Sequence, residues 1–186
     1  MNLGLMAKAV TKLETFVVNK MTQQQVVVIL TAVSEGSKLT ELEISDSNLA
    51  GVDPVLLAKA VTKLETLKVT YTKLTQQQAV AILTAVSEGS KLTKLDISNN
   101  NLSGIDPGLL AKAVTKLETF KARDTNLRQQ QTVAILTAVS EGSKLTKLDI
   151  DEPMEDEDVD EDTESDESNE EYLWARRRAY IPSYML

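Results

Sequence analysis

The chain contains no cysteine and no histidine, and only two phenylalanines and one tryptophan. Without cysteine there is no disulfide framework and no thiolate nucleophile; without histidine there is no imidazole base and the commonest metal ligand is missing. Cysteine proteases, Ser–His–Asp triads and Cys/His zinc sites are therefore excluded. Long hydrophobic runs are also lacking. The longest, Val26 to Leu30, is far short of the roughly 20 apolar residues a membrane-spanning helix needs. The start, Met1-Asn2-Leu3-Gly4-Leu5-Met6-Ala7-Lys8, has no basic segment leading into an apolar stretch, and Asn2 stands where myristoylation needs glycine. The expectation is a soluble, cytoplasmic chain that binds no membrane.

Charge is divided unevenly along the 186 residues. Residues 1–150 carry 17 Lys and Arg against 14 Asp and Glu, a net of +3. Residues 151–186 carry 3 Arg against 14 acidic residues, a net of −11, and the two together give the overall −8. Three segments follow: a near-neutral body (1–150), an acidic stretch (151–171) expected to be disordered, and an aromatic and basic segment (172–186). The acidity argues against a nucleic-acid partner.

The body is repetitive. Ser34-Glu35-Gly36-Ser37-Lys38-Leu39 returns at Ser87–Leu92 and again at Ser140–Leu145, 53 residues apart each time. Each 53-residue unit divides into halves of 25 and 28, marked by Leu39, Leu64, Leu92, Leu117 and Leu145. Short periods of this kind indicate a solenoid. Within a half, Leu92-Thr93-Lys94-Leu95-Asp96-Ile97-Ser98-Asn99-Asn100-Asn101-Leu102 places apolar residues at positions 1, 4, 6 and 11 and Asn100 at position 9. Leu39, Leu42, Ile44, Leu49 keep the same spacing, as do Leu64, Leu67, Val69, Leu74 and Leu117, Phe120, Ala122, Leu127. The alternation at positions 4 and 6 predicts a short strand with one buried face. The polar residue at position 9 (Ser47, Thr72, Asn100, Thr125) is placed to bond the backbone of the turn that leaves the strand.

A helix is predicted after each strand. Asp53-Pro54 and Asp106-Pro107 supply a capping carboxylate and a first-turn proline. Thr75-Gln76-Gln77-Gln78 reads as a capping box, and Ala79, Ile82, Leu83 and Val86 make one buried face. Gly89 stands where a left-handed helix end is expected. Arg128 replaces the capping threonine in the last copy, a loss of roughly 0.5–2 kcal/mol for that helix.

This L-x-x-L-x-L-x-x-N-x-L grammar resembles that of leucine-rich repeats, and the 25/28 alternation resembles the ribonuclease-inhibitor-like class. Gly51–Pro54, Leu56–Val61 and Ala81–Gly89 look most like the repeats of cytosolic nucleotide-binding leucine-rich-repeat receptors; this chain has no P-loop sequence. The resemblance implies an α/β solenoid, a curved horseshoe segment of about five to six repeats. Parallel strands would form its concave face and helices its convex face. Neither end shows a capping repeat, so exposed solenoid ends and an end-to-end homodimer are expected.

The units 39–91 and 92–144 differ at 14 positions, all within 41–55 or 67–79; 56–66 and 80–91 are identical in both. Among the differing pairs, Glu41/Lys94, Glu43/Asp96, Asp46/Asn99, Thr70/Arg123 and Tyr71/Asp124 fall on or beside the outward strand face. A constant frame with a variable concave face is the pattern of a binding surface; drift where packing is permissive gives the same pattern. The candidate partner-binding residues are Glu43, Asp46, Lys68, Thr70, Tyr71, Asp96, Asn99, Lys121, Arg123 and Asp124, with Tyr71 the foremost anchor.

No motif places a catalytic pair, a metal site or a cofactor, so a non-catalytic protein-interaction module is expected, such as a receptor-type sensing or regulatory region. Two alternatives stay open. One is a small-GTPase regulator, because Ran GTPase-activating proteins have a similar layout of repeats plus acidic region. The other is a truncated or designed scaffold. In the acidic stretch, Thr163 and Ser168 match acidic-directed phosphorylation sites. Beyond it, Tyr172, Trp174 and Arg176–Arg178 could form a peptide motif or dock on the solenoid.

Overall fold

The computed structural model describes residues 2–153. The acidic stretch beyond Pro153 and the segment 172–186 lie outside the described residues. Six helices alternate with six strands in chain order: α1 (Leu3–Val10), β1 (Thr15–Asn19), α2 (Gln23–Gly36), β2 (Glu41–Ser45), α3 (Pro54–Val61), β3 (Thr66–Thr70), α4 (Gln76–Ser87), β4 (Lys94–Asp96), α5 (Pro107–Val114), β5 (Thr119–Ala122), α6 (Gln129–Ser140) and β6 (Lys147–Ile150). The strands form one parallel sheet in the order β1-β2-β3-β4-β5-β6. Every connection therefore runs through a helix to the neighbouring strand, as the repeat grammar predicts. Strands stack about 4.8 Å apart whereas packed helices need 8–10 Å, so the sheet takes the inner side of the curve.

Alternation decides which strand residues enter the core. Leu42 and Ile44, Leu67 and Val69, and Phe120 and Ala122 are buried, and the residues between them face out. The two copy differences on the buried side of β3 and β5 offset each other. Phe120 is larger than Leu67 while Ala122, two residues on, is smaller than Val69, so volume in the layer is roughly conserved. β4 is shorter than β2 for a local reason. Asp96 Oδ1 accepts from the Ser98 backbone N–H at 3.2 Å and from Ser98 Oγ at 2.7 Å, bending the chain after Asp96. Ile97 is buried all the same.

The helix starts form as their sequences dictate. Asp53 accepts from Val55 N at 2.9 Å and Asp106 from Leu109 N at 2.8 Å. Thr75 and Gln78 make the reciprocal capping box, and Thr22 and Gln25 make another. At α6 half of the box survives. Gln131 Oε1 still accepts from Arg128 N at 2.8 Å, but a guanidinium has no acceptor to return. Gly89 closes α4 at φ 102.

The position-9 residues are buried and tie one turn to the next. Asn100 Oδ1 accepts from Thr72 N, Thr72 Oγ1 and Leu74 N at 3.3, 3.1 and 3.1 Å. Its Nδ2 donates to the carbonyls of Val69, Ile97 and Ser98 at 2.7, 3.0 and 3.1 Å. Ser47 does the smaller version, accepting from Met21 N at 2.9 Å. There the preceding turn is two residues shorter, and Met21 fills it. Gln78 and Gln131 do more than sequence reading assigned them. Beyond its capping bond, Gln78 Nε2 donates to the Leu49 and Val52 carbonyls, and Gln131 Nε2 donates to Leu102 and Ile105, each stitching a helix start to the preceding loop. In α6, Leu136 is 50% exposed although its counterpart Leu83 is fully buried, because α5 packs on α4 and no described helix follows β6.

Candidate functional site

The sheet face opposite the helices carries four rows of side chains, one residue from each strand or the turn after it. The parallel register sets the rows. Val17, Glu43, Lys68, Asp96, Lys121 and Asp149 stand side by side. Apart from Val17, 59% exposed at one end, this central row alternates acid and base. Lys68 Nζ lies 2.8 Å from Glu43 Oε2, and Lys121 Nζ 4.0 Å from Asp96 Oδ2. The second pair is looser because Asp96 is one methylene shorter and its other oxygen is committed to Ser98. The hydrogen bond from Lys68 to Glu43 holds the Lys68 ammonium above its ordinary pKa, more strongly than partial burial lowers it; the carboxylates of Glu43, Glu41 and Asp96 add to the rise.

Thr70 and Arg123 occupy the next row. Arg123 is not free: its Nε lies 3.4 Å from Asp149 and 3.8 Å from Asp151. The Asp124 backbone N–H is bonded by the Asp151 carboxylate. The Arg123 side chain and the Asp124 backbone are thus engaged by residues that sequence reading did not include.

Asp46, Tyr71, Asn99 and Asp124 make the row at the C-terminal edge of the strands, together with Lys20. All five have left-handed backbones, with φ of 51° at Lys20, 48° at Asp46, 54° at Tyr71, 59° at Asn99 and 53° at Asp124. Asp and Asn accept this conformation readily, whereas a bulky residue is an outlier. Tyr71 is held there with its side chain 59% exposed. The duplicated unit carries Asp124 in its place.

Sequence reading noted the Glu41/Lys94 pair but left the row at the N-terminal edge out of its candidates: Thr15, Glu41, Thr66, Lys94, Thr119 and Lys147, in register across all six strands. Glu41 accepts from Thr15 Oγ1 at 3.3 Å. Lys94 and Lys147 are exposed and make no ion pair among the described residues. A hollow of about 330 Å³ opens here, lined by Lys68, Lys94, Lys121 and Lys147 together with Glu41, Asp96 and the threonines. The signal was the Glu41/Lys94 exchange, the one charge reversal between the copies.

Among the described residues no group of three or more Asp or Glu is arranged to hold a metal ion, and no helix is long and apolar enough to cross a membrane. A larger hollow, about 710 Å³, lies on the other side between α3 and α4. Its walls come almost wholly from the stretches identical in both copies, so it does not share the variation of the sheet face.

No curated protein and no solved structure matches the chain. Residues 91–113 match the family model described as Leucine Rich Repeat. The match starts before β4 and runs through nearly all of α5, without reaching the receptor or ribonuclease-inhibitor-like subdivision. With that match set inside an array of six alternating strands and helices, the described residues form a leucine-rich repeat solenoid.

Proposed function

We propose that the chain is a non-catalytic protein-interaction module that engages its partner through the exposed sheet face. The observation that carries this reading is where the two copies of the unit differ. Most solvent-exposed changes gather in the outward strand rows and the turns after them. On the helices they are confined to the starts (Val55/Gly108 and the cap Thr75/Arg128), and the helix surfaces within 56–66 and 80–91 are duplicated without change. All ten candidate residues from Glu43 to Asp124 lie on that face or its C-terminal edge. A sensing or regulatory region of a receptor-type cytoplasmic protein is the specific form of this proposal, supported by the likeness of its repeats. A small-GTPase regulator is the alternative form, resting on the layout of repeats followed by an acidic stretch.

The test is affinity capture from cell extract with the full chain. A variant with Asp46→Ala and Tyr71→Ala is compared with one carrying Lys59→Ala and Lys112→Ala on exposed helix positions. Asp46 and Tyr71 are exposed and form no ion pair among the described residues, so the fold should survive, as circular dichroism can check. The expected result is a partner lost with the sheet-face variant and kept with the helix-face variant. Equal loss in both, or no specific capture, overturns the proposal.

A further inference from the structure

The sheet face is electrically divided. Its central row is neutralised internally, through Lys68 with Glu43 and Lys121 with Asp96. Asp46 and Asp124 stand at the C-terminal edge, and the surplus positive charge stands at the N-terminal edge. There the hollow of about 330 Å³ gathers four lysines against Glu41 and Asp96. Since Lys68 and Lys121 already have partners, Lys94 and Lys147 are the surplus. They sit two strands apart, roughly 9.5 Å at the backbone, with Thr119 between them. Glu65 and Glu118, just before β3 and β5, are exposed and do not line the hollow.

We propose that this hollow takes an acidic, Asp- and Glu-rich extended segment of a partner protein, resting on the reading of the sheet face as an interaction surface. Charge complementarity identifies the occupant. Two ammonium groups that make no ion pair among the described residues flank a hydroxyl-bearing floor, in a recess where opposed charge is focused. At the C-terminal edge the charged residues from β2 onward in that row, Asp46 and Asp124, are acidic, Lys20 lying at the far end beside β1, so this side repels the same segment and fixes which side of the face it uses. The duplication sharpens the inference. The slot holding Lys94 and Lys147 holds Glu41 in the first copy, so although the hollow reaches back to β2 and β3, its surplus positive charge lies at β4 and β6 and confines the segment to that end. Association of this kind weakens steeply with ionic strength.

The experiment uses the full chain and a fluorescein-labelled hexaglutamate peptide, with hexaglutamine as the uncharged control, followed by anisotropy. Hexaglutamate should bind at low salt, hexaglutamine should not, and added salt should weaken the complex. Lys94→Glu with Lys147→Glu should weaken it at least tenfold. The native Glu41 shows that this slot accepts glutamate without loss of fold. Lys59→Glu with Lys112→Glu, the same change of charge on the helix side, should leave binding within about twofold. Failure of hexaglutamate to bind overturns the proposal, and so does equal loss in the helix-side variant, which would reveal general polyelectrolyte attraction. Either failure leaves the broader reading standing if Asp46→Ala with Tyr71→Ala still abolishes partner capture.

Discussion

Glu43 and Lys68 face each other across β2 and β3, with the ammonium nitrogen 2.8 Å from the carboxylate oxygen. The pair is the tightest step in a row that runs Glu43, Lys68, Asp96, Lys121, Asp149 across five strands. Parallel stacking at one residue per strand would set like charges side by side if each repeat carried the same residue. Alternating the sign instead makes each neighbour favourable. The period of the alternation is the 25-plus-28 unit, so duplication of the whole unit, not of a half, preserves it. The same alternation leaves the row little charge to offer a partner. Recognition by charge therefore falls to the flanking rows.

The Lys68 pair gives a pH prediction. Lys68 is held above its ordinary value near 10.5. A cation with a raised folded pKa contributes stability that is fully present below the unfolded value and is lost as pH rises through the folded one. Glu43→Gln should return the Lys68 titration toward the ordinary lysine range, read by NMR of the lysine side chain. The stability difference between the two proteins should be constant from neutral pH to about 9 and should shrink above about 10.5. It will be small, because the Lys68 side chain is 39% exposed and solvent-accessible pairs are worth about 0.2–1 kcal/mol. A titration indifferent to Glu43 would remove the pair from the argument.

Tyr71 gives a prediction in which stability and binding move in opposite directions. Its left-handed backbone suits asparagine, the residue at the same place in the following turn, Asn99. Tyr71→Asn should relieve about 1 kcal/mol of strain and raise the melting temperature, while partner capture falls because the exposed ring is gone. Residues kept at a cost in stability are a mark of functional surfaces. If the melting temperature does not rise, the strain argument is wrong; if capture is unchanged, the ring has no part in binding.

The buried position-9 residues Asn100 and Ser47 show how turn length and side-chain length are matched. Asn100 serves Thr72 and Leu74 across a turn two residues longer than the one Ser47 serves at Met21. Asn100→Ser, although it copies the residue of the other unit, should leave buried backbone groups without partners and cost about 2 kcal/mol. The next residue in this series, 53 further on, is Pro153. A hollow of about 220 Å³ remains beside Thr125, Asn126 and Leu127, the turn equivalent to the one Asn100 fills. Pro153→Asn should stabilise the chain by about 1 kcal/mol, as denaturant unfolding can measure.

Repeat length, strand alternation and caps were legible because each repeats along the chain and each is a local property. The residues of the candidate face were legible for the same reason: outward strand positions follow from alternation. What alternation does not give is register. That Glu43 meets Lys68, and that Lys94 and Lys147 share an edge, depends on which residue of one strand lies beside which residue of the next, and that follows only once the turns are built. The engagement of Arg123 by Asp149 and Asp151 was hidden differently. Those aspartates come where the repeat pattern is fading, and composition assigns Asp151 to the acidic stretch.

Two substitutions in the last copy are losses that the earlier copy can repair. Thr132 replaces Ala79, and its hydroxyl is buried without a hydrogen-bond partner. Arg128 replaces Thr75, and the cap it should supply is missing. Thr132→Ala removes the orphaned hydroxyl and restores the better helix former, at the expense of one methyl group; the net should be a gain of about 1 kcal/mol. Arg128→Thr adds the side-chain acceptor of the capping box to a Gln131 backbone N–H that now bonds only the Arg128 carbonyl at 3.0 Å, worth about 0.5 kcal/mol. The two positions lie within one turn of the same helix, so the double variant tests whether the gains add. α6 carries half-exposed Leu136 where α4 is fully packed, so the gains should appear first in hydrogen exchange of α6 and only partly in global unfolding. Gains confined to global unfolding, with α6 exchange unmoved, would show that this helix already opens only with the rest of the solenoid.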